Sequence, residues 1–272
     1  MDAVHFGPMG EPLEEPTKDA AAERGREVLI EARGITFGYG QEAVLRDVDL
    51  VIRREHFLAI LGPNGGGKTT LVKVLLGLLS PWTGTVRRST SPRRGALGYV
   101  PQFATFDRSF PIRVRDLVQM GRLGLRGPLH RYRTRDRHRV AEMLDAFGLA
   151  GVAEETVEEL SGGQLQRALI ARALVAEPEI LFLDEPLASI DAESREVLLS
   201  TLERLHAEIP IVVITHDLTP FAGVVQQIAC VNRHLFYHPH GELTTEMLEE
   251  VYGCPVELIA HGVPHRVLHS HE

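Results

Sequence analysis

Cysteine is almost absent: Cys230 and Cys254 are the only two in 272 residues, so there is no disulfide framework to stabilise the chain. Long apolar runs are missing as well. The richest stretch, Leu71 to Leu79, is interrupted by Lys73, and Ile211 to Ile214 is far shorter than the roughly 18 residues that a membrane-crossing helix needs. Met1 to Glu15 lacks the basic start and apolar centre of a secretory signal, and a cytoplasmic location is expected. No internal repeat occurs. What is present is ordinary for a globular protein, 44% hydrophobic and 24% charged residues, which excludes a mainly disordered chain, a fibre or a multi-pass membrane protein. The length suits one large domain, or one domain with an inserted subdomain and tails.

Acidic residues are scarce in one place only. Between Arg87 and Arg139 stand fourteen Arg against three acids, Asp107, Asp116 and Asp136, although the whole chain carries a net charge of −8. This basic island is compatible with phosphates, anionic lipid or an acidic protein partner, and equally with a solvated surface of scattered ion pairs.

Along the chain, residues 1–26 hold Pro8, Pro12, Pro16, several glycines and many charges without apolar periodicity, and read as a flexible tail. Val28, Ile30 and Ala32 then alternate with more polar neighbours, as do Val48 to Ile52, which predicts half-buried strands of a small antiparallel sheet. Phe57 to Leu61 is continuously apolar and leads through a glycine-rich turn into a helix expected over Lys68 to Leu79. An Arg-rich helical subdomain is expected over about 103–165, with amphipathic stretches at Val114 to Met120 and Val140 to Phe147. Beyond it a helix from about Gly163 to Ala176, a strand at Ile180 to Leu183, a helix at Ala192 to Ala207 and a strand at Ile211 to Thr215 follow in turn. Alternating strands and helices predict a mostly parallel α/β sheet flanked by helices. From about Val231 a short strand or two and a helix at Thr244 to Tyr252 are expected.

Gly62, Pro63, Asn64, Gly65, Gly66, Gly67, Lys68 and Thr69, with Thr70 after them, satisfy the phosphate-loop string G-x-x-x-x-G-K-[ST] (Walker A) between a buried strand and a helix. Glycines let successive backbone N–H groups turn inward at phosphate oxygens, and the helix start adds favourable partial charge. Lys68 is placed to reach the β- and γ-phosphates, and the Thr69 hydroxyl to ligate Mg²⁺. Ile180 to Leu183 ends in Asp184 and Glu185, an acid to hold the ion and an acid to accept a proton from the attacking water. Ser161 is a good N-cap followed by Gly162 and Gly163, which makes a second phosphate receptor.

With Leu160-Ser161-Gly162-Gly163-Gln164 added to these motifs, the chain resembles the nucleotide-binding subunit of an ATP-binding cassette (ABC) transporter over roughly 27–233. The resemblance implies a P-loop NTPase core with an antiparallel β subdomain and an inserted α-helical subdomain, and ATP with Mg²⁺ as cofactors. It also gives roles to further residues. Tyr39 in Phe37-Gly38-Tyr39-Gly40 stacks on adenine, with Phe37 the competing candidate. Gln102 after Tyr99-Val100-Pro101 is the switch glutamine near Mg²⁺, alongside Thr69 and Asp184. Asp191 belongs to the dimer-contact loop, and His216 in Ile214-Thr215-His216-Asp217 senses the γ-phosphate and acts with Glu185 and Lys68 in catalysis. Two chains of such a homodimer sandwich two ATP molecules, with Ser161, Gly162, Gly163 and Gln164 completing the partner's site. Gly66 stands where the family more often has Ala, and Arg54-Glu55-His56 where it has a Gly-Glu turn, which predicts a different turn type.

Ser109 to Arg122 and Cys230 to Leu235 resemble the zinc, manganese and iron importers of that family. The implied partners are an integral membrane permease, docked on the helical subdomain around Val114 to Gly121, and indirectly an extracytoplasmic metal-binding protein. The implied location is the cytoplasmic face of the membrane. Nucleic acid is not expected; a soluble cassette ATPase acting on it is the competing class, motivated by the Arg-rich island. Residues 234–272 form a His-rich extension with His234, His238, His240, His261, His265, His269 and His271. Imidazoles at His238 and His240, and at His265, His269 and His271, are candidates for a regulatory or buffering Zn²⁺ site, but the spacing fits no closed four-ligand template and favours a solvated tail.

Overall fold

The computed structural model describes residues 27–89, 96–102, 110–125, 131–188 and 190–238. In chain order its elements are β1 (Val28–Tyr39), β2 (Glu42–Arg53), β3 (Phe57–Leu61), α1 (Lys68–Leu75), β4 (Thr83–Arg88), β5 (Leu97–Val100), α2 (Val114–Met120), α3 (Thr134–Ala146), α4 (Gly162–Leu174), β6 (Ile180–Asp184), α5 (Ala192–His206), β7 (Ile211–Ile214), β8 (Gln227–Asn232) and β9 (His234–His238). They fall into two compact units. The first takes the described residues of 1–30, 51–56 and 88–213, the second those of 31–50, 57–87 and 214–272. Among the described residues no helix is long and apolar enough to cross a membrane.

In the first unit β5 and β6 run parallel, with Tyr99 opposite Phe182 and Val100 opposite Leu183, and β7 lies on the far side of β6. Every residue of β6 and β7 is buried, the pattern of strands covered on both faces. Helix α4 covers β5 and receives α2 and α3. Leu165, Ala168 and Leu169 recur at helical spacing on one face and are buried, and Ile170 and Ala171 are buried as well. Each fully buried Leu, Ile or Phe contributes about 1.5–3 kcal/mol relative to an exposed one.

In the second unit β3 pairs in parallel with β8, Leu58 opposite Gln227 through Leu61 opposite Cys230, and β8 turns back antiparallel into β9. Nearly all of β1, β2 and β4 also lies here, in the order β2-β1-β4. Only Gly40 and Gln41 separate β1 from β2, a connection that fits an antiparallel pair alone, as expected.

Four of the departures from the sequence expectation have a local reason. Helix α1 stops at Leu75 because Gly77 takes the left-handed conformation, φ 77°, while the N–H groups of Leu78 and Leu79 return to the Lys73 carbonyl. Helix α3 starts at Thr134, six residues before the apolar stretch that predicted it. Its charged first turns are fixed by Asp136, whose Oδ2 accepts the Arg133 N–H at 2.8 Å. Strand β4 has no fully buried residue and so no apolar signal. Strand β8 begins at Gln227, before the expected Val231, and is held by its pairing with β3. The flexible tail at 1–26, the helix at 244–252 and the histidines from His240 onward lie outside the described residues.

Four arginines of the basic island are paired with carboxylates of this chain. Arg113 and Arg115 meet Glu154, and Arg139 meets Glu142 at 2.9 Å and Glu177 at 3.5 Å. The innermost pair is Arg122 with Asp136, Nε to Oδ1 2.7 Å, with side chains 6% and 3% exposed, and Arg122 Nη1 also donates to the Val175 carbonyl at 2.8 Å. One guanidinium thus ties the end of α2, the start of α3 and the segment after α4.

The turn at Arg54-Glu55 is closed by His56, whose N–H donates to the Arg53 carbonyl and whose Nδ1 accepts the Arg53 N–H, each at 3.2 Å. Burial, with the nearby charges of Arg53 and His206, pushes the imidazole down to about 4 from its usual 6.5. The unfolded chain therefore takes up the proton first. The stability that a neutral His56 allows is fully present above pH 6.5 and is lost as pH falls towards 4. His56→Asn, which keeps an acceptor near Nδ1, is expected to flatten the loss of urea resistance across that window. Arg122→Ala, which leaves Asp136 buried without its guanidinium, is expected to cost about 3–5 kcal/mol in urea unfolding.

Candidate functional site

In the second unit, β3 delivers the chain to Gly62 with every strand residue buried, so the loop leaves from a fixed base. Gly62, Gly65 and Gly67 have φ of 148°, 81° and 100°, conformations that side chains resist. The loop also runs against β8: a Cβ on Gly62 would lie 2.0 Å from the Val231 carbonyl oxygen, and one on Gly66 2.8 Å from the same atom. Helix α1 then begins at Lys68 behind Gly67, which offers no side-chain cap. The buried Lys68 ammonium bends over the loop, donating to the Gly62 carbonyl at 2.7 Å and the Pro63 carbonyl at 3.1 Å. Asn64 and Gly65 are exposed, Thr69 is half-buried and Thr70 buried. Bare glycine backbone, an uncapped helix start and a lysine at the same turn suit a polyphosphate.

Two other predicted residues belong to this unit. Thr215 donates its N–H to the Ile60 carbonyl at 3.1 Å, two residues before Gly62, so the exposed His216 begins beside the root of the loop. Thr215 Oγ1, at 3.1 Å from the Asp217 N–H, holds the turn that presents it. Of the two aromatic candidates, Tyr39 is 55% exposed and Phe37 only 7%, with their rings edge to face at 5.3 Å. Phe37 is the floor and Tyr39 the free face. Cys230, buried beside Leu61, has its thiol pushed up to about 11 by burial and is chemically quiet.

The first unit holds the acids, the switch glutamine and the serine-glycine cap. Since Val100 lies opposite Leu183 in parallel strands, Gln102 and Glu185 both leave from the carboxyl ends, two residues further on. That is where ligands of α/β sheets bind. Asp184 is buried and its Oδ2 accepts from the Tyr99 hydroxyl at 3.4 Å; burial and this carboxylate raise the phenol to about 12. Glu185 is half-buried, and Gln102 is exposed. A glutamine amide oxygen and a carboxylate are hard oxygen donors, a chemistry that fits Mg²⁺.

Ser161 caps α4 as expected. Its Oγ accepts the Gln164 N–H at 3.2 Å, and Gln164 Oε1 accepts the Ser161 N–H at 2.8 Å, a closed capping box. The N–H groups of Gly162 and Gly163 open the helix, where no carbonyl of the same helix reaches them. Asp191 caps α5 in the same manner, accepting the Ser194 N–H at 2.9 Å, and this bond with the Ser194 hydroxyl holds its carboxyl below the usual range. Ser161, Gln164 and Asp191 line one cleft together with Arg167 and Ser194.

The sequence profile described as ABC transporter matches residues 45–188, more than half of the chain. This chain belongs to the ABC transporter family. Its α/β phosphate-loop architecture is the one the motifs imply, and it is an ATPase. The zinc import ATP-binding protein ZnuC of Chelativorans is 37% identical to it, covering 79% of this chain and 71% of that protein. The manganese transport system ATP-binding protein MntB of Listeria monocytogenes is 35% identical, covering 86% of this chain and 100% of that protein. Among solved structures, a metal-chelate type ABC transporter in an inward-facing conformation superposes with a TM-score of 0.76 at 28% identity, covering 84% of this chain and 90% of that one.

Two features of this ABC ATPase escape a reading by motif. Tyr99 stands out only after β5 is set in register with β6, which aims its hydroxyl at Asp184; the alternation of Leu97 to Val100 was the available signal. Glu185 has φ 50°, a left-handed conformation for which nothing in the residue type prepares the reader. A side chain there costs about 1–2 kcal/mol. Glu185→Ala keeps the Cβ and its strain, whereas Glu185→Gly removes both. The glycine variant is expected to exceed the alanine variant by about 1 kcal/mol in thermal or urea unfolding, with both inactive.

Proposed function

We propose that this chain is the ATP-hydrolysing subunit of an importer for a divalent metal ion, zinc or manganese, and works as a homodimer on a membrane permease at the cytoplasmic face. The single observation that carries the ATPase half is the phosphate loop, an uncapped helix start with three glycines at positive φ and Lys68 folded over it. The metal half rests on the zinc import and manganese transport named for the relatives at 35–37% identity.

In this reading Tyr39 stacks on the adenine, the loop amides from Gly62 to Thr70 cradle the phosphates, and Lys68 exchanges its two loop carbonyls for β- and γ-phosphate oxygens. Thr69, Gln102 and Asp184 would hold Mg²⁺, which supplies charge neutralisation for the phosphates. Glu185 takes the proton of the attacking water, while His216 donates to the γ-phosphate and keeps that water in line. Ser161, Gly162, Gly163 and Gln164 face the nucleotide of the partner chain, with Asp191 at the contact between the two.

A nucleic-acid-directed ATPase draws its motive from the arginine island. Arg113, Arg115, Arg122 and Arg139 already spend their charge on carboxylates of this chain, which weakens that motive.

Glu185→Gln is expected to keep ATP binding and ATP-driven dimerisation while lowering kcat by about 10²-fold or more, measured by phosphate release and size-exclusion chromatography. A multi-pass membrane protein is expected to co-purify with the wild-type chain, and deletion of the chain to abolish uptake of radiolabelled zinc or manganese. Wild-type uptake of both ions after deletion would sink the metal assignment and leave the ATPase assignment standing.

A further inference from the structure

We infer that Gly163 is a glycine because Ser194 occupies the space of its side chain, and that Ser194 is a positioning residue which locks the signature helix α4 to the dimer-loop helix α5. The inference rests on the nucleotide role proposed above for the start of α4 and assigns it an internal support. A Cβ built on Gly163 would lie 2.2 Å from Ser194 Oγ and 2.5 Å from Ser194 Cβ, while the nearest backbone atom, Ser194 Cα, is at 3.8 Å. The first two distances are impossible for real atoms; the third is ordinary contact. The obstacle is the serine side chain alone.

Nothing in the local backbone asks for a glycine here. Gly163 is not at positive φ, unlike the phosphate-loop glycines, and it sits in the first turn of a regular helix. There glycine is less favourable than alanine by about 0.5–1 kcal/mol. The contact also has a definite place in the local bonding. Ser194 is in the first turn of α5, with its N–H held by Asp191 Oδ1 at 2.9 Å, and Gly163 lies between Ser161 and Gln164, which are joined by the capping box. Asp191, Ser194, Gly163 and Ser161 therefore form a continuous line from one helix cap to the other. Both helices belong to the same unit, and their caps line the same cleft. Close packing without a side chain between them means that neither cap moves without the other. The donors of α4 and the carboxylate of Asp191 reach a partner chain as one rigid surface.

A glycine kept only so that a phosphate can approach the backbone predicts a different outcome from one kept for Ser194. Gly163→Ala, Ser194→Gly and the double variant distinguish them in the purified full-length chain, read by melting temperature and by ATPase kcat and KM. Gly163→Ala is expected to lower the melting temperature and to reduce kcat about tenfold with little change in KM for ATP. Ser194→Gly, which loses its hydroxyl contact to Asp191, is expected to fall about threefold in kcat. The double variant is expected to match Ser194→Gly in kcat and to regain the melting temperature, a positive coupling between neighbours. A double variant as impaired as Gly163→Ala in both readouts overturns the inference, as does a Gly163→Ala protein with unchanged melting and turnover. If the wild-type chain splits no ATP, the nucleotide reading fails on its own and the melting temperatures of the three variants still decide the packing of Gly163 on Ser194.

Discussion

A helix begins with N–H groups that its own carbonyls cannot reach, and the treatment of those groups at α1 and α4 governs the rest of this structure. At α4 the chain satisfies part of the demand itself: the Ser161 and Gln164 side chains close a capping box. At α1 it supplies no side-chain cap, placing Gly67 at φ 100° instead. Omitting a cap costs about 1 kcal/mol of helix stability. A protein tolerates that cost where an anion offsets it. The burial of β3, the approach of Val231 to Gly62 and Gly66, and the bond from the Arg233 N–H to the Gly66 carbonyl at 3.2 Å all serve to hold an uncapped loop in place.

The parts of the fold legible in the sequence are those where one physical requirement dominates. Strands β3, β6 and β7 are buried on both faces, so an unbroken apolar run was enough to find them. Ser161 stands immediately before a helical pattern, so capping chemistry identified the start of α4. The phosphate loop was legible because positive φ and close backbone approach leave glycine as the main choice. Where requirements compete, the sequence misleads. Thr134 to Arg139 is too polar to suggest a helix, yet Asp136 caps it and is buried against Arg122, fourteen residues earlier. Strand β4 has only Val86 covered, and that in part, and carries no periodicity. The register that points Tyr99 at Asp184 joins residues 85 apart, which no local pattern encodes.

The arginine island shows how a charge count loses meaning when partners are distant in sequence. Fourteen arginines against three local acids look like a surface for phosphates or lipid. Glu154, Glu142 and Glu177 lie outside the window in which those acids were counted, and they meet Arg113, Arg115, Arg122 and Arg139 once the chain has folded. Exposed pairs such as Arg113 with Glu154 contribute little to stability, at most about 1 kcal/mol each. Their effect is on the field: a paired guanidinium offers a passing polyanion much less than a count of residues suggests. Among the described residues of the island, the Arg122 pair is the one buried deeply enough for its integrity to matter to the fold itself.

Glu185 sets the opposite problem, a residue whose type argues against its conformation. Left-handed backbone is inexpensive for glycine and tolerable for asparagine or aspartate, and the residue before a proline is restricted further, as Glu185 is by Pro186. Strand β6, buried at each of its five positions, arrives with no freedom to relieve the strain upstream. Pro186, also buried, blocks relief downstream. The direction of the Cα–Cβ bond of Glu185 is therefore fixed by the backbone. The base role proposed for Glu185 would gain from that arrangement, since misalignment by even about 1 Å can cost two orders of magnitude in rate. Glycine would relax the turn, and with it the only group at that position able to take a proton.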